Sequence, residues 1–177
     1  MPRLFHLSEE SDIEQFVPRP PQAHPESESL VWGIDEAHSP FYLLPRECPR
    51  IGIWNLDHGP QGMQIYVQEN WREQIRQTTL YRYEFDPSNF VDCQDHGVWT
   101  SSVVVEPIVK DIITQLEEAL ERAQVNLHYI LDLKTKAEEL YDFERNDWKT
   151  SLHVSMTRMR NLADWPYAKG KPTVPKI

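Results

Sequence analysis

The 177-residue chain carries 18 basic against 28 acidic residues, a formal net charge of −10, with 40% hydrophobic residues and 11% aromatic ones. It is long enough to bury a core without disulfides or metals, and too rich in Trp, Tyr and Phe to be disordered. The acidic balance argues against non-specific binding to nucleic acid or to anionic membranes, and no window approaches the roughly 20 apolar residues of a spanning helix.

The N-terminus, MPRLFHLSEES, has one basic residue and no apolar run of signal-peptide length. Leu4 to Leu7 reads as a strand with His6 in its middle. Ser8 and Ser11, each followed by an acid, suggest a helical turn around DIEQF. Residues 18–29 hold four prolines among Ser and Glu and form a surface loop. LVWGI is a second strand. DEAHSPFYLLP then starts a helix with Asp35 as cap, which would place His38 and Tyr42 on one face.

PRIGIWNL and MQIYVQ read as strands flanking the turn DHGPQG, and ENWREQIRQ as a short helix. In TLYRYEF, Leu80, Arg82 and Glu84 alternate with Tyr81, Tyr83 and Phe85, a strand pattern. DPSNF is a turn and GVWTSSVVV another strand. Pro107 near a first turn, with Ile108, Ile112, Ile113, Leu116 and Leu120 at helical spacing, predicts an amphipathic helix from Pro107 to Arg122. VNLHYIL is a strand, KTKAEELYDFERND a helix, and SLHVSMTRMRNL is open between the two. The expected architecture is a single α+β domain over residues 1–165, with a mixed, mostly antiparallel sheet and several flanking helices. Residues 166–177 are expected to be a loosely held tail.

Nucleotide-binding, nucleophile-elbow, zincin and calcium-loop motifs are missing from the sequence. His38, Cys48 and His58 do not have ligand spacing for a usual zinc site, so no metal is expected. The two cysteines form no CxxC, which fits a reduced, cytoplasmic setting. Most of the tryptophans are expected in packing.

Three segments carry candidate chemistry. In LFHLS, His6 can present ring nitrogens to a ribose or phosphate, with Ser8 beside it; the alternative is a histidine satisfied by backbone at a sheet edge. In the corner from Asp35 to Tyr42, Asp35, His38 and Tyr42 can face a ligand, or Asp35 can merely cap while Tyr42 packs. In SLHVSMTRMRN, Arg158 and Arg160 suit a phosphate or carboxylate, or serve as internal ion-pair partners. Together these describe a cleft for a nucleotide-like or phosphorylated small molecule. The alternative is a non-catalytic protein-interaction domain.

LFHLSEE, VWGIDEAHSPFYLLPRECPRI, LYRYEF and SMTRMRN, in that order, resemble a family of uncharacterised bacterial proteins of about this length, which implies no activity. The layout is also similar to ADP-ribosyltransferase-like domains. That likeness implies NAD as cofactor, His6 on a ribose, Tyr42 stacked on nicotinamide, and a carboxylate orienting the nucleophile at an oxocarbenium-like sugar. The late strand departs from that pattern: Gly97 and Val98 stand where an acid belongs, and Glu106 lies beyond them. Glu106 is therefore the catalytic candidate paired with His6.

Overall fold

The computed structural model describes residues 1–21 and 25–167. In the first part of the chain, strands cover Leu4–Ser8 (β1), Val31–Asp35 (β2), Arg50–Asn55 (β3), Gly59–Gln68 (β4) and Leu80–Phe85 (β5). Val91–Asp95 (β6), Val98–Ser101 (β7), Pro107–Ile113 (β8), Asn126–Ile130 (β9), Tyr141–Asp142 (β10), Asp147–Trp148 (β11) and His153–Thr157 (β12) follow. The helices are Arg72–Gln77 (α1), Leu116–Arg122 (α2) and Leu133–Leu140 (α3), with short 3₁₀ turns between elements. The fold is α+β. Among the described residues no helix is long and apolar enough to cross a membrane.

Contacts gather the chain into two compact units, one from Met1–Arg46 with Thr78–Leu116, the other from Glu47–Gln77 with the chain from Glu117 on. The first is built on a six-stranded sheet in the order β6-β7-β2-β1-β5-β8, antiparallel throughout. Leu4 and Phe5 point to opposite faces and both are fully buried, as a central strand covered on both sides requires. On the Leu4 face lie Val31, Tyr83, Phe85, Phe90 and Val105. The Phe16 ring meets Tyr83 and Phe85 edge-on, with centroids 5.3 and 4.8 Å away. Its backbone exchanges hydrogen bonds of 2.8 and 3.0 Å with Val105, tying the N-terminal segment across the sheet. On the opposite face the Arg82 guanidinium sits 4.8 Å above the Phe5 ring and pairs with Asp111 at 2.7 Å.

The second unit has a four-stranded sheet, β12-β3-β4-β9, in which β4 and β9 run parallel and the other pairs antiparallel. Leu133, Ala137 and Leu140 recur at i, i+4, i+7 on α3 and pack on Ile51, Ile53 and Val154. Each fully buried leucine contributes roughly 1.5–3 kcal/mol relative to exposure. Asp132 caps α3, its two carboxylate oxygens accepting from the Thr135 backbone N–H at 2.8 Å and hydroxyl at 2.7 Å.

The expected helix from Pro107 to Arg122 is instead strand β8 followed by α2. Ile108, Val109, Ile112 and Ile113 are β-branched, and the segment pairs along all of β5 from Ile113↔Leu80 to Pro107↔Phe85. Pro107 is tolerated because it opens an edge strand. Ile108 and Ile112, assigned to a buried helical face, are 61% and 63% exposed. The helical turn expected around DIEQF is extended chain, drawn out by the Phe16 bridge. The helix expected after Asp35 is a turn leading into a 3₁₀ segment, Ser39–Tyr42, with Pro40 in its first turn. SLHVSMTRMRNL resolves into β12 and a 3₁₀ turn at Met159–Asn161. The tail, apart from Pro166 and Tyr167, lies outside the described residues, as does 22–24 of the proline-rich loop.

Candidate functional site

Strands β1 and β5 pair at every position, from Leu4↔Phe85 to Ser8↔Tyr81, whereas β1 and β2 pair only at Leu4↔Asp35 and Phe5↔Ile34. Beyond Phe5 these two neighbours part. The gap is closed by a side chain: His6 Nδ1 lies 3.1 Å from the Trp32 carbonyl oxygen. A carbonyl only accepts, so Nδ1 carries the proton. Burial pulls the His6 ring below its usual pKa; the Trp32 carbonyl opposes this and the positive charge of Arg46 adds to it. The result is a neutral imidazole with Nε2 left as an acceptor.

His6 lines two cavities. The larger, about 420 Å³, also takes in Ser8, Glu10, Phe16, Arg19 and Arg46, with Pro20 and Pro21 of the proline-rich loop forming part of its wall. The smaller, about 250 Å³, is lined by Phe5, Leu7, Trp32, Tyr42, Asp95 and Val98. His6 and Trp32 are common to both. Strand alternation places His6 and Ser8 on one face of the sheet and Phe5 and Leu7 on the other.

Around the larger cavity, Ser8 is buried and its Oγ accepts from the Glu10 N–H at 3.1 Å. Tyr83 donates its hydroxyl to the Glu10 carbonyl at 2.7 Å, fixing the chain where it leaves β1. The Arg46 N–H donates to Glu9 Oε1 at 2.8 Å, which holds the segment after the 3₁₀ turn beside the same strand end. Glu106 does not line the cavity, but Gln15 does, and its amide donates to Glu106 Oε1 at 2.9 Å.

Of the residues singled out in the sequence, His6 and Ser8 share the larger cavity, and His6 and Tyr42 the smaller. Asp35 and His38 bind each other instead: Asp35 Oδ1 accepts from the His38 N–H and meets its ring Nδ1, both at 2.8 Å. Burial pushes the Asp35 carboxyl up, but the His38 bonds outweigh it and the net shift is downward. Gly97, at φ +81°, backs this pair; a Cβ there would overlap His38 Nδ1 and the Asp35 carboxyl carbon. The Asp35–His38 pair is thus a packed support next to β2, while Tyr42 at the other end of the corner lines the smaller cavity. His38 and Tyr42 do not share a helical face, because a 3₁₀ turn repeats every three residues.

Arg158 and Arg160 belong to the second unit. Arg158 precedes the 3₁₀ turn in a left-handed conformation, its Nε 3.7 Å from Glu47 Oε1, and Arg160 is exposed. The cations on the His6 cavity are Arg19 and Arg46, neither of which stands out in the sequence. Their signal was slight: Arg19 stands between prolines in PRPP, and Arg46 follows Pro45 in LLPREC. Among the described residues no group of three or more His, Cys, Asp or Glu side chains could hold a metal ion.

A model for a family of unknown function, DUF6886, matches residues 5–162. The chain belongs to DUF6886. No curated protein and no solved structure matches it. Membership meets the expectation of a family without an assigned activity, while none of the comparisons supports the ADP-ribosyltransferase layout. The DUF6886 match takes in His6, both cavities and the arginines that line the larger one.

Proposed function

We propose that this DUF6886 domain binds a nucleotide-like or otherwise phosphorylated small molecule in the cleft at His6. The observation that carries the reading is the convergence of a neutral histidine, a buried serine and two arginines on one cavity. Arginine presents a planar fork of donors that matches phosphate and carboxylate oxygens. His6 Nε2 suits a sugar hydroxyl as donor partner, because its other nitrogen is already committed to Trp32. Tyr42 and Trp32 offer ring surface in the smaller cavity for a planar group. His6 Nε2 and Glu106, held to the cleft wall through Gln15, are the groups we assign to any proton transfer there. A reducing compartment such as the cytoplasm suits the chain, since Cys48 is a buried free thiol whose pKa burial pushes up to about 12.

Thermal-shift screening with NAD, ADP-ribose, mononucleotides and inorganic phosphate tests the reading. A ligand at a hundred times its Kd adds about 2.7 kcal/mol of stability. The shift should fall by about half or more in Arg46→Ala and shrink in His6→Gln. A panel without effect, or a shift undiminished by both substitutions, overturns the proposal.

A further inference from the structure

The second unit holds a crevice of opposite electrostatic character. At the carboxyl ends of the parallel strands β4 and β9, where Gln68 lies beside Ile130, a cavity of about 380 Å³ opens. Crevices at the carboxyl ends of parallel strands are recurrent ligand positions in α/β sheets. Gln68, Asn70 and Trp71 line it from the segment after β4, Asp132 from the start of α3, and Asn161 and Asp164 from the chain after β12. No Lys, Arg or His is among its lining residues. Two arginines adjoin its lining residues in sequence: Arg160 is exposed and does not line it, and Arg72 pairs with Glu69 at 2.6 and 2.8 Å and stacks 3.7 Å over the Tyr129 ring.

The remaining hydrogen-bonding capacity is specific. Among the described residues the side chains of Gln68 and Asn70 make no hydrogen bond. Each amide offers both donors and an acceptor. Asn161 gives its amide N–H groups to Glu47 at 2.7 and 2.9 Å, which leaves its carbonyl oxygen as an acceptor. Asp132 already accepts from Thr135 through both oxygens, so Asp164 is the carboxylate with more room for a new partner. An anion would meet two carboxylates, and the cation that acts on both, Lys134, is already paired with Glu138 at 3.0 Å. A simple cation would leave the donors of Gln68 and Asn70 without acceptors on the ligand. Hydroxyl groups, which donate and accept at once, suit amides and carboxylate together, and the half-buried Trp71 offers an apolar ring face.

We propose that this crevice is a second ligand site, for a neutral polyhydroxylated molecule of the sugar class. The test is an NMR titration of the full chain, ¹⁵N-labelled at tryptophan, with D-glucose, D-galactose, D-mannose and D-ribose at millimolar concentration. The Trp71 indole signal, assigned through Trp71→Phe, should move and saturate with at least one sugar. Asp164→Ala and Asn70→Ala, both at exposed positions that fold without strain, should weaken that binding about tenfold. Arg46→Ala, in the first unit, should leave it unchanged. A Trp71 signal that responds to no sugar, that responds to arginine or spermidine instead, or that titrates identically in the Asp164 and Asn70 variants overturns the proposal.

Discussion

His6 Nδ1 and the Trp32 carbonyl oxygen, 3.1 Å apart, take the place of a strand ladder where β1 and β2 separate. One bond therefore holds the sheet at its split and sets the tautomer of the residue that both cavities share.

The His6 ring should titrate below the ordinary histidine value of about 6.5 and stay protonated at Nδ1, as histidine-ring NMR would report. The folded pKa lies below the unfolded one, so the unfolded state binds the extra proton first. Stability attributable to His6 is then fully present above about pH 6.5 and is lost as pH falls through the window below it. His96, also shifted down by burial, adds in the same direction. Replacing His6 with Phe should flatten that part of the stability–pH curve, and an unchanged slope would contradict the assignment.

Arg19→Ala and Arg46→Ala should each weaken binding of a phosphate-bearing ligand about tenfold or more, the scale of a lost charge-assisted bond. Chemical denaturation should show little change in folding stability for either. Equal binding with large destabilisation would make these residues supports of the loop walls and not ligand contacts.

Gly97→Ala forces a side chain into a left-handed position and against the Asp35–His38 pair. A cost of about 1–3 kcal/mol is expected, with the His38 ring signals displaced. A neutral outcome in urea denaturation would mean that the hairpin is free to move away from Asp35.

Substitution along residues 107–122 distinguishes strand from helix. Ile108→Lys and Ile112→Lys, on exposed positions of an edge strand, should each cost less than about 0.5 kcal/mol. Leu120→Ala removes a fully buried side chain of α2 and should cost about 2–5 kcal/mol. Similar large losses at all three sites would restore the continuous helix.

The sequence made some elements plain and concealed others for identifiable reasons. LFHLS, VWGID and LYRYEF were legible because strand alternation and β-branched or aromatic residues agreed. The helix read over KTKAEELYDFERND was legible only in its first half: α3 ends at Leu140, and YDFERND turns instead into the β10–β11 pair, a pairing that local spacing does not encode. Ile108, Ile112, Leu116 and Leu120 satisfied helical spacing, yet pairing with β5 claimed the first half, a long-range decision that local spacing does not encode. At the cleft, His6 and Ser8 were readable from one strand. Arg19 and Arg46 were not, because turns and prolines deliver them from separate loops. Arg158 and Arg160 drew notice by standing close in sequence, while the structure gives Arg158 a local carboxylate in Glu47.

The central claim, an anionic ligand seated at His6, is tested most directly by titrating ¹⁵N-histidine-labelled protein with ADP-ribose, mononucleotides and inorganic phosphate. The account predicts that His6 Nε2 shifts and saturates with at least one of them, while Nδ1 keeps its proton on Trp32, and that Arg46→Ala moves saturation to about tenfold higher ligand or beyond. A His6 signal unmoved by every anion, or one moved equally in the Arg46 variant, would contradict it.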